Sequence, residues 1–206
     1  MITATQFSIE ESLIIEARSN FPKFDGKITL NQPTKSFFND PWVIKNDFKN
    51  SVWNKILNSL DTEIGEARLI RLKPGECYLS HADIDDRWHL NIQGENSFLI
   101  DLDNKKMYET TTSRYWYKMD ASKKHSAANF GSYDRIQLVV RTLLINNIIQ
   151  DPISVKIVLK KPTFDRRYVF DQVLSSWFNL AYKQGIISDF YSEDLMVSLV
   201  IEKNSL

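Results

Sequence analysis

Cysteine is almost missing from these 206 residues: Cys77 stands alone. No intrachain disulfide can form, and a cysteine-based zinc site is not expected. Cys77 itself reads as a small, buried, inert residue near a strand end. Net charge is missing too, because 26 basic and 26 acidic residues cancel. Neither nucleic acid nor an anionic membrane is favoured by that balance, and no Lys/Arg block announces a local groove. No apolar run approaches the ~18 residues of a membrane span. The first residues lack a basic stretch followed by a clean apolar one, so no signal peptide is expected. These absences point to a cytoplasmic protein that meets neither membrane nor nucleic acid. There is no internal repeat, low-complexity segment or long linker, and the length suits one domain, 1–206.

What is present changes texture twice along the chain. Residues 8–20 predict a helix, with Ser8 as cap, Glu11 completing a capping box, and Ile9, Leu13 and Ala17 on one stripe. A short strand is expected around residues 27–30, and a second helix over 48–60 with Val52, Trp53 and Ile56 facing inward. Trp42 and Trp53 read as core anchors. From Glu66 the pattern becomes β. The segments ARLIRL, RWHLNIQ, NSFLIDL, KMYETT, RYWYKMDA and DRIQLVVRTLLI are rich in β-branched and aromatic residues and are separated by short polar turns. Strands at that spacing, with no helices between them, imply an antiparallel sandwich or barrel. The tail reads as helical again over 166–184, closed by Gly185, with 192–201 of uncertain type. The expected division is an N-terminal flank (1–65), a β core carrying the site (66–146), and a helical C-terminal extension (151–206).

Histidine is scarce, and two of the three lie in one stretch, HADIDDRWHLNI (81–92). On an extended segment His81 and Asp83 share a face, and so do Arg87 and His89. The third, His125, must come from a distant strand. Two imidazoles and a carboxylate suit non-haem Fe(II) and leave three positions open. H-x-D alone does not decide this. The competing assignment puts His81 at a strand end, His89 in the core and His125 on a loop, with no shared ligand. Arg135 opens an apolar strand ten residues after His125, and a guanidinium is the preferred partner of a buried carboxylate. Its rivals are a surface role, pairing with Asp134 or Asp120, or replacement by Arg141, which shares its strand face. Asp85 and Asp86 read as solvated turn residues. Trp116 is balanced between core and cavity.

Five ordered motifs over residues 66–142 carry a resemblance: A-R-x-I-R, H-x-D, R-x-H-L, D-A-S-x-x-H-S-A and R-x-x-L-V-V. They resemble the aspartyl/asparaginyl β-hydroxylase-like family of Fe(II)/2-oxoglutarate dioxygenases. The small bacterial branch that includes proline cis-4-hydroxylases looks most similar. The resemblance implies a mainly β fold, a double-stranded β-helix (jelly-roll, cupin-like) core with flanking N- and C-terminal helices. It implies that His81, Asp83 and His125 bind Fe(II). Arg135 would hold the distal carboxylate of 2-oxoglutarate, and His89 would approach the carboxylate beside the keto group. Arg87 would share that contact or meet an acidic group on the substrate. Arg87, Asn129 and Trp116 are the substrate-side candidates.

Two departures from the family pattern are informative. The mammalian enzymes place a small residue where this chain has Asp83, which favours the three-ligand bacterial branch and argues against a halogenase. They also place a serine where this chain has Ile70, so the distal carboxylate needs another hydroxyl, Tyr78 or Tyr117. The implied activity uses O2 and 2-oxoglutarate to hydroxylate an amino acid or a peptide side chain, releasing succinate and CO2. The alternative from another class is a non-catalytic jelly-roll module that binds a metal or ligand.

Overall fold

The computed structural model describes residues 2–35, 40–83, 85–143, 152–158, 175–184, 187–193 and 196–202. An N-terminal strand, β1 (Ile2–Ser8), leads into helix α1 (Glu11–Ser19), then short strands β2 (Lys27–Thr29), β3 (Asn31–Pro33) and β4 (Trp42–Ile44), and helix α2 (Val52–Leu57). Seven strands follow: β5 (Ile64–Leu72), β6 (Arg87–Gln93), β7 (Ser97–Asp101), β8 (Lys106–Glu109), β9 (Tyr115–Met119), β10 (His125–Asn129) and β11 (Arg135–Thr142). Strand β12 (Pro152–Val158), helix α3 (Ser175–Lys183), and strands β13 (Ile187–Glu193) and β14 (Met196–Glu202) complete the described chain.

The large antiparallel sheet runs β1-β9-β6-β11-β5-β2, and a second runs β10-β7-β8. Residues 77–81 extend the second sheet past β10 through the bridges Cys77↔Ala128 and His81↔His125. A row of 77–81, β10, β7 and β8 therefore opposes β5, β11, β6 and β9, which is the strand order of a double-stranded β-helix. The fold is mainly β and the expected jelly roll is present.

Strand alternation gives the large sheet two buried faces of opposite character. Leu90 and Ile92 of β6, Ile136, Leu138 and Val140 of β11, and Trp116 of β9 pack outward against α1 and α2, around Ala17, Trp53 and Ile56. The intervening residues, Arg87, His89 and Asn91 on β6 and Arg135, Gln137 and Arg141 on β11, are also buried but face the barrel interior. An apolar seam thus fastens the helices to the barrel, while the lumen is lined with polar groups. A few apolar residues, Leu72, Leu99, Met119 and Ala127, bridge the two sheets inside.

Several expectations need correction. Ser8 does not cap α1: it ends β1, and Glu10 takes the cap position with no side-chain bond. Trp53 is buried, whereas Trp42 is only half-buried at the β3–β4 edge. Cys77 is exposed, because it stands on the outer strand of the smaller sheet. The tail is not simply helical: β12, β14 and β13 form a separate antiparallel sheet, and among the tail's described residues the helix is 175–183. Residues 166–174 and Gly185 lie outside the described residues. Among the described residues no helix is long and apolar enough to cross a membrane.

Candidate metal centre

One antiparallel rung builds most of the centre. His81 and His125 exchange both backbone bonds, N–H of His81 to O of His125 at 2.9 Å and the reverse at 2.8 Å. Directly opposed residues project to the same face, so the two rings lie 4.4 Å apart, centre to centre. Two residues on, the Asp83 N–H donates to Ala121 O at 2.9 Å, which holds the carboxylate on that face. The candidate ligand atoms of His81, Asp83 and His125 all lie within 4.8 Å of one another. Asp83 Oδ2 is 3.8 Å from His81 Nε2 and 3.6 Å from His125 Nε2.

Both imidazoles are oriented from behind. Nδ1 of His81 lies 3.0 Å from Leu79 O, and Nδ1 of His125 lies 2.8 Å from Lys123 O. A carbonyl only accepts, so each Nδ1 carries a proton, which leaves Nε2 as the ring atom that can ligate. That backbone support is how metal-binding histidines are held in one tautomer. Burial disfavours the charged form of Asp83, but the Arg87 guanidinium outweighs it and holds the carboxyl well below the usual carboxylate range. Burial also pushes His125 down, against the pull of Asp83, which favours the neutral, ligating form. The donor set, two imidazole nitrogens and one carboxylate oxygen, fits a divalent first-row metal.

Arg135 lies in the same cavity as the three, with Tyr78, His89 and Gln137. It is fully buried, at 1% exposure. Its Nε donates to Thr110 Oγ1 at 3.0 Å and its Nη2 to Gln137 Oε1. Its Nη1 makes no hydrogen bond of normal geometry among the described residues; the neighbouring Tyr78 hydroxyl interacts with the guanidinium but likewise lacks a bond of normal geometry. No described carboxylate pairs with it, and burial lowers its pKa to about 10. A buried cation held only by neutral groups is an open demand for an anion.

His89 is buried on the same wall. Gln137 Oε1 accepts from Arg135, so at 3.3 Å the His89 Nδ1 is the donor and Nε2 is left an unpartnered acceptor. Burial and Arg135 push its pKa down to about 3. A second cavity of about 340 Å³ adjoins the first across His89 and Gln137 and reaches Asn91, Tyr108, Thr110 and Tyr117.

The remaining expected residues are placed differently. Arg87 faces the centre, but its Nη2 bonds Asp83 Oδ1 at 2.9 Å and its Nη1 pairs with Asp85. Asn129 does not face the cavity: Nδ2 donates to Leu72 O and Tyr133 O, and Oδ1 accepts from Gly131 N, so the side chain ties the β10–β11 turn. Trp116 points to the helix side, where its Nε1 donates to Ser59 Oγ at 3.0 Å. Asp85 is no solvated turn residue; its side chain is fully buried between Arg87 and Arg141. The signal was available, since Asp83, Asp85, Arg87 and His89 alternate at a strict two-residue step. Asn179 of α3 had no signal; its Nδ2 donates to Asp83 O at 3.2 Å across a separation of 96 residues.

No family model matches the chain, and no curated protein matches it. Among solved structures it is similar to cupin barrels. A cupin domain from Bordetella pertussis Tohama I overlaps 59% of this chain and 97% of its own, at 13% identity and a TM-score of 0.36. For a cupin superfamily protein from Desulfitobacterium hafniense DCB-2 the shares are 40% and 71%, at 17% identity and a TM-score of 0.33. For a Photorhabdus luminescens protein they are 37% and 61%, at 14% identity and a TM-score of 0.33, so the chain spans less than two thirds of that protein. Likeness of this extent assigns no reaction.

Proposed function

We propose that this chain is an Fe(II)/2-oxoglutarate-dependent dioxygenase that hydroxylates an amino acid or a peptide side chain. The observation that carries the reading is Arg135. It is a buried guanidinium that, among the described residues, meets only neutral side chains and no carboxylate, in the same cavity as a His/Asp/His cluster. A jelly roll that only stored a metal would have no use for a second, anion-seeking group beside it.

The charges support a dianionic co-substrate. Asp83, Arg87, Asp85 and Arg141 form a paired row in which two anions balance two cations. A divalent ion and Arg135 would then be the uncompensated charges, and a dicarboxylate spanning them answers both. His81 and His125 would hold the ion through Nε2, and Asp83 through Oδ2. Thr110 and Gln137 fix the guanidinium plane of Arg135, and the adjacent Tyr78 hydroxyl offers the distal carboxylate the second donor left open by Ile70. His89 can meet a carboxylate only after its Nε2 takes up a proton. Bound Fe(II) with 2-oxoglutarate supplies the oxidising chemistry, in which O2 gives one atom to succinate and the other to the substrate C–H. The barrel positions the groups and excludes side reactions. The 340 Å³ cavity beyond His89 and Gln137 lies within the ordinary range for a small organic ligand.

The test is succinate release from 2-oxoglutarate in the presence of Fe(II) and O2, screened across amino acids and short peptides. Substrate-stimulated succinate together with a product heavier by one oxygen is the expected result. Absence of any succinate, with no metal uptake that depends on His81, would support the non-catalytic module instead.

A further inference from the structure

Arg87 and Arg141 are directly opposed on neighbouring strands β6 and β11. Like charges in that relation repel, and both are almost fully buried. Asp85 lies between them. Its Oδ1 pairs with Arg87 Nη1 and its Oδ2 with Arg141 Nε, while its backbone O accepts from Arg87 Nη1 at 3.1 Å. The Arg87 guanidinium is thereby fixed in a plane that delivers Nη2 to Asp83 Oδ1 at 2.9 Å. The other carboxylate oxygen, Oδ2, is the one that faces His81 and His125.

We infer that Asp85 is the positioning residue of the centre and that, through Arg87, it keeps Asp83 a one-oxygen ligand. This rests on the reading of His81, Asp83 and His125 as a metal site. A carboxylate that coordinates through both oxygens fills two of six octahedral positions, and one held through a single oxygen fills one. With two imidazoles present, the first case leaves two positions open and the second leaves three. A chelating co-substrate and O2 together need three. The clamp on Oδ1 therefore sets the number of open positions, and Arg87 serves the ligand rather than the co-substrate.

The probe is Mn(II) alone, which binds oxygen and imidazole donors and reports its bound waters through water-proton relaxation. For wild-type protein and Asp85→Asn, the relaxation enhancement per bound Mn(II) is measured without 2-oxoglutarate, with circular dichroism confirming the fold. The expected result is a fall of about one third in the variant, three open positions becoming two. An unchanged enhancement in folded Asp85→Asn overturns the inference and leaves the proposed function standing. Failure of the wild type to bind Mn(II) overturns the metal reading beneath both. If Asp85→Asn does not fold, Asp85→Asn/Arg141→Gln removes the repulsion along with the anion. The same fall is expected there, and wild-type enhancement overturns the inference.

Discussion

Arg135 and Asp83 lie in one cavity but answer different charges, so removing each should fail differently. Arg135→Ala takes away a guanidinium that touches Thr110 and Gln137 and no ligand atom. Metal loading should stay within about twofold of wild type. The 2-oxoglutarate concentration for half-maximal turnover should rise at least tenfold, since a charge-assisted pair contributes about 1.5–3 kcal/mol. Asp83→Ala removes the one anionic donor and leaves Arg87 without that partner, so metal affinity itself should collapse. Isothermal titration with Mn(II), followed by 2-oxoglutarate, separates the two, and equal loss of metal in both variants would refute the division of roles. At this scale much was legible in the sequence. The two-residue step of His81 and Asp83 requires only an extended backbone. Asn129 and Asp85 were misread, and Trp116 was left open between core and cavity, because their roles depend on which sheet face or turn carbonyl each one meets, and composition says nothing of that. Trp116 is one residue out of phase with Tyr117, and that single step sends it to the helices.

At the scale of elements, the centre depends on β10 and β11 arriving in register, one with His125 and the other with Arg135. The turn between them is crowded. A Cβ on Gly131 would stand 2.3 Å from the Glu95 backbone oxygen, and Phe130 N–H bonds Asn96 O at 3.0 Å across the same gap. Gly131→Ala must push two backbones apart, so it should destabilise the fold by about 1–3 kcal/mol, the usual cost of overpacking. Urea unfolding of the metal-free protein measures this. A midpoint unchanged from wild type would mean that the turn yields freely. The strands rich in Val, Ile, Tyr and Trp were anticipated from their composition. Strand β10, His-Ser-Ala-Ala-Asn, was implied only by the metal reading, which needs His125 on a distant strand, because its residues have little β preference and tertiary pairing with β7 makes it a strand. β1, Ile-Thr-Ala-Thr-Gln-Phe-Ser, carries Ile, Thr and Phe that favour a strand, a signal the sequence reading passed over; it pairs with β9. The capping-box signature over Ser8 and Glu11 was a real local preference that this pairing overrode.

For the whole molecule, net charge is zero, yet the interior carries a dense row of ions and two histidines kept neutral by burial. That arrangement sets the pH dependence of folding. His89 titrates near 6.5 in the unfolded chain and near 3 in the folded one. Its native value is depressed, so its contribution is complete above about pH 6.5. As pH falls from there toward 3, the unfolded chain binds a proton that the native chain refuses, and stability drops by up to about 1.4 kcal/mol per pH unit. His125 is shifted in the same direction by burial and adds to the slope. Asp83 acts lower: its depressed carboxyl stabilises the fold above its unfolded value near 3.8 and is lost only beneath it. The metal-free protein should therefore lose stability between pH 6.5 and 4, before its carboxylates titrate. His89→Gln, which cannot take up a proton, should flatten that limb while leaving the part due to His125. Thermal melts at half-unit steps of pH measure both slopes. Parallel limbs in the two proteins would mean that His89 already protonates freely in the native state. Its Nε2 would then be open to solvent rather than held dry against the wall it shares with Gln137.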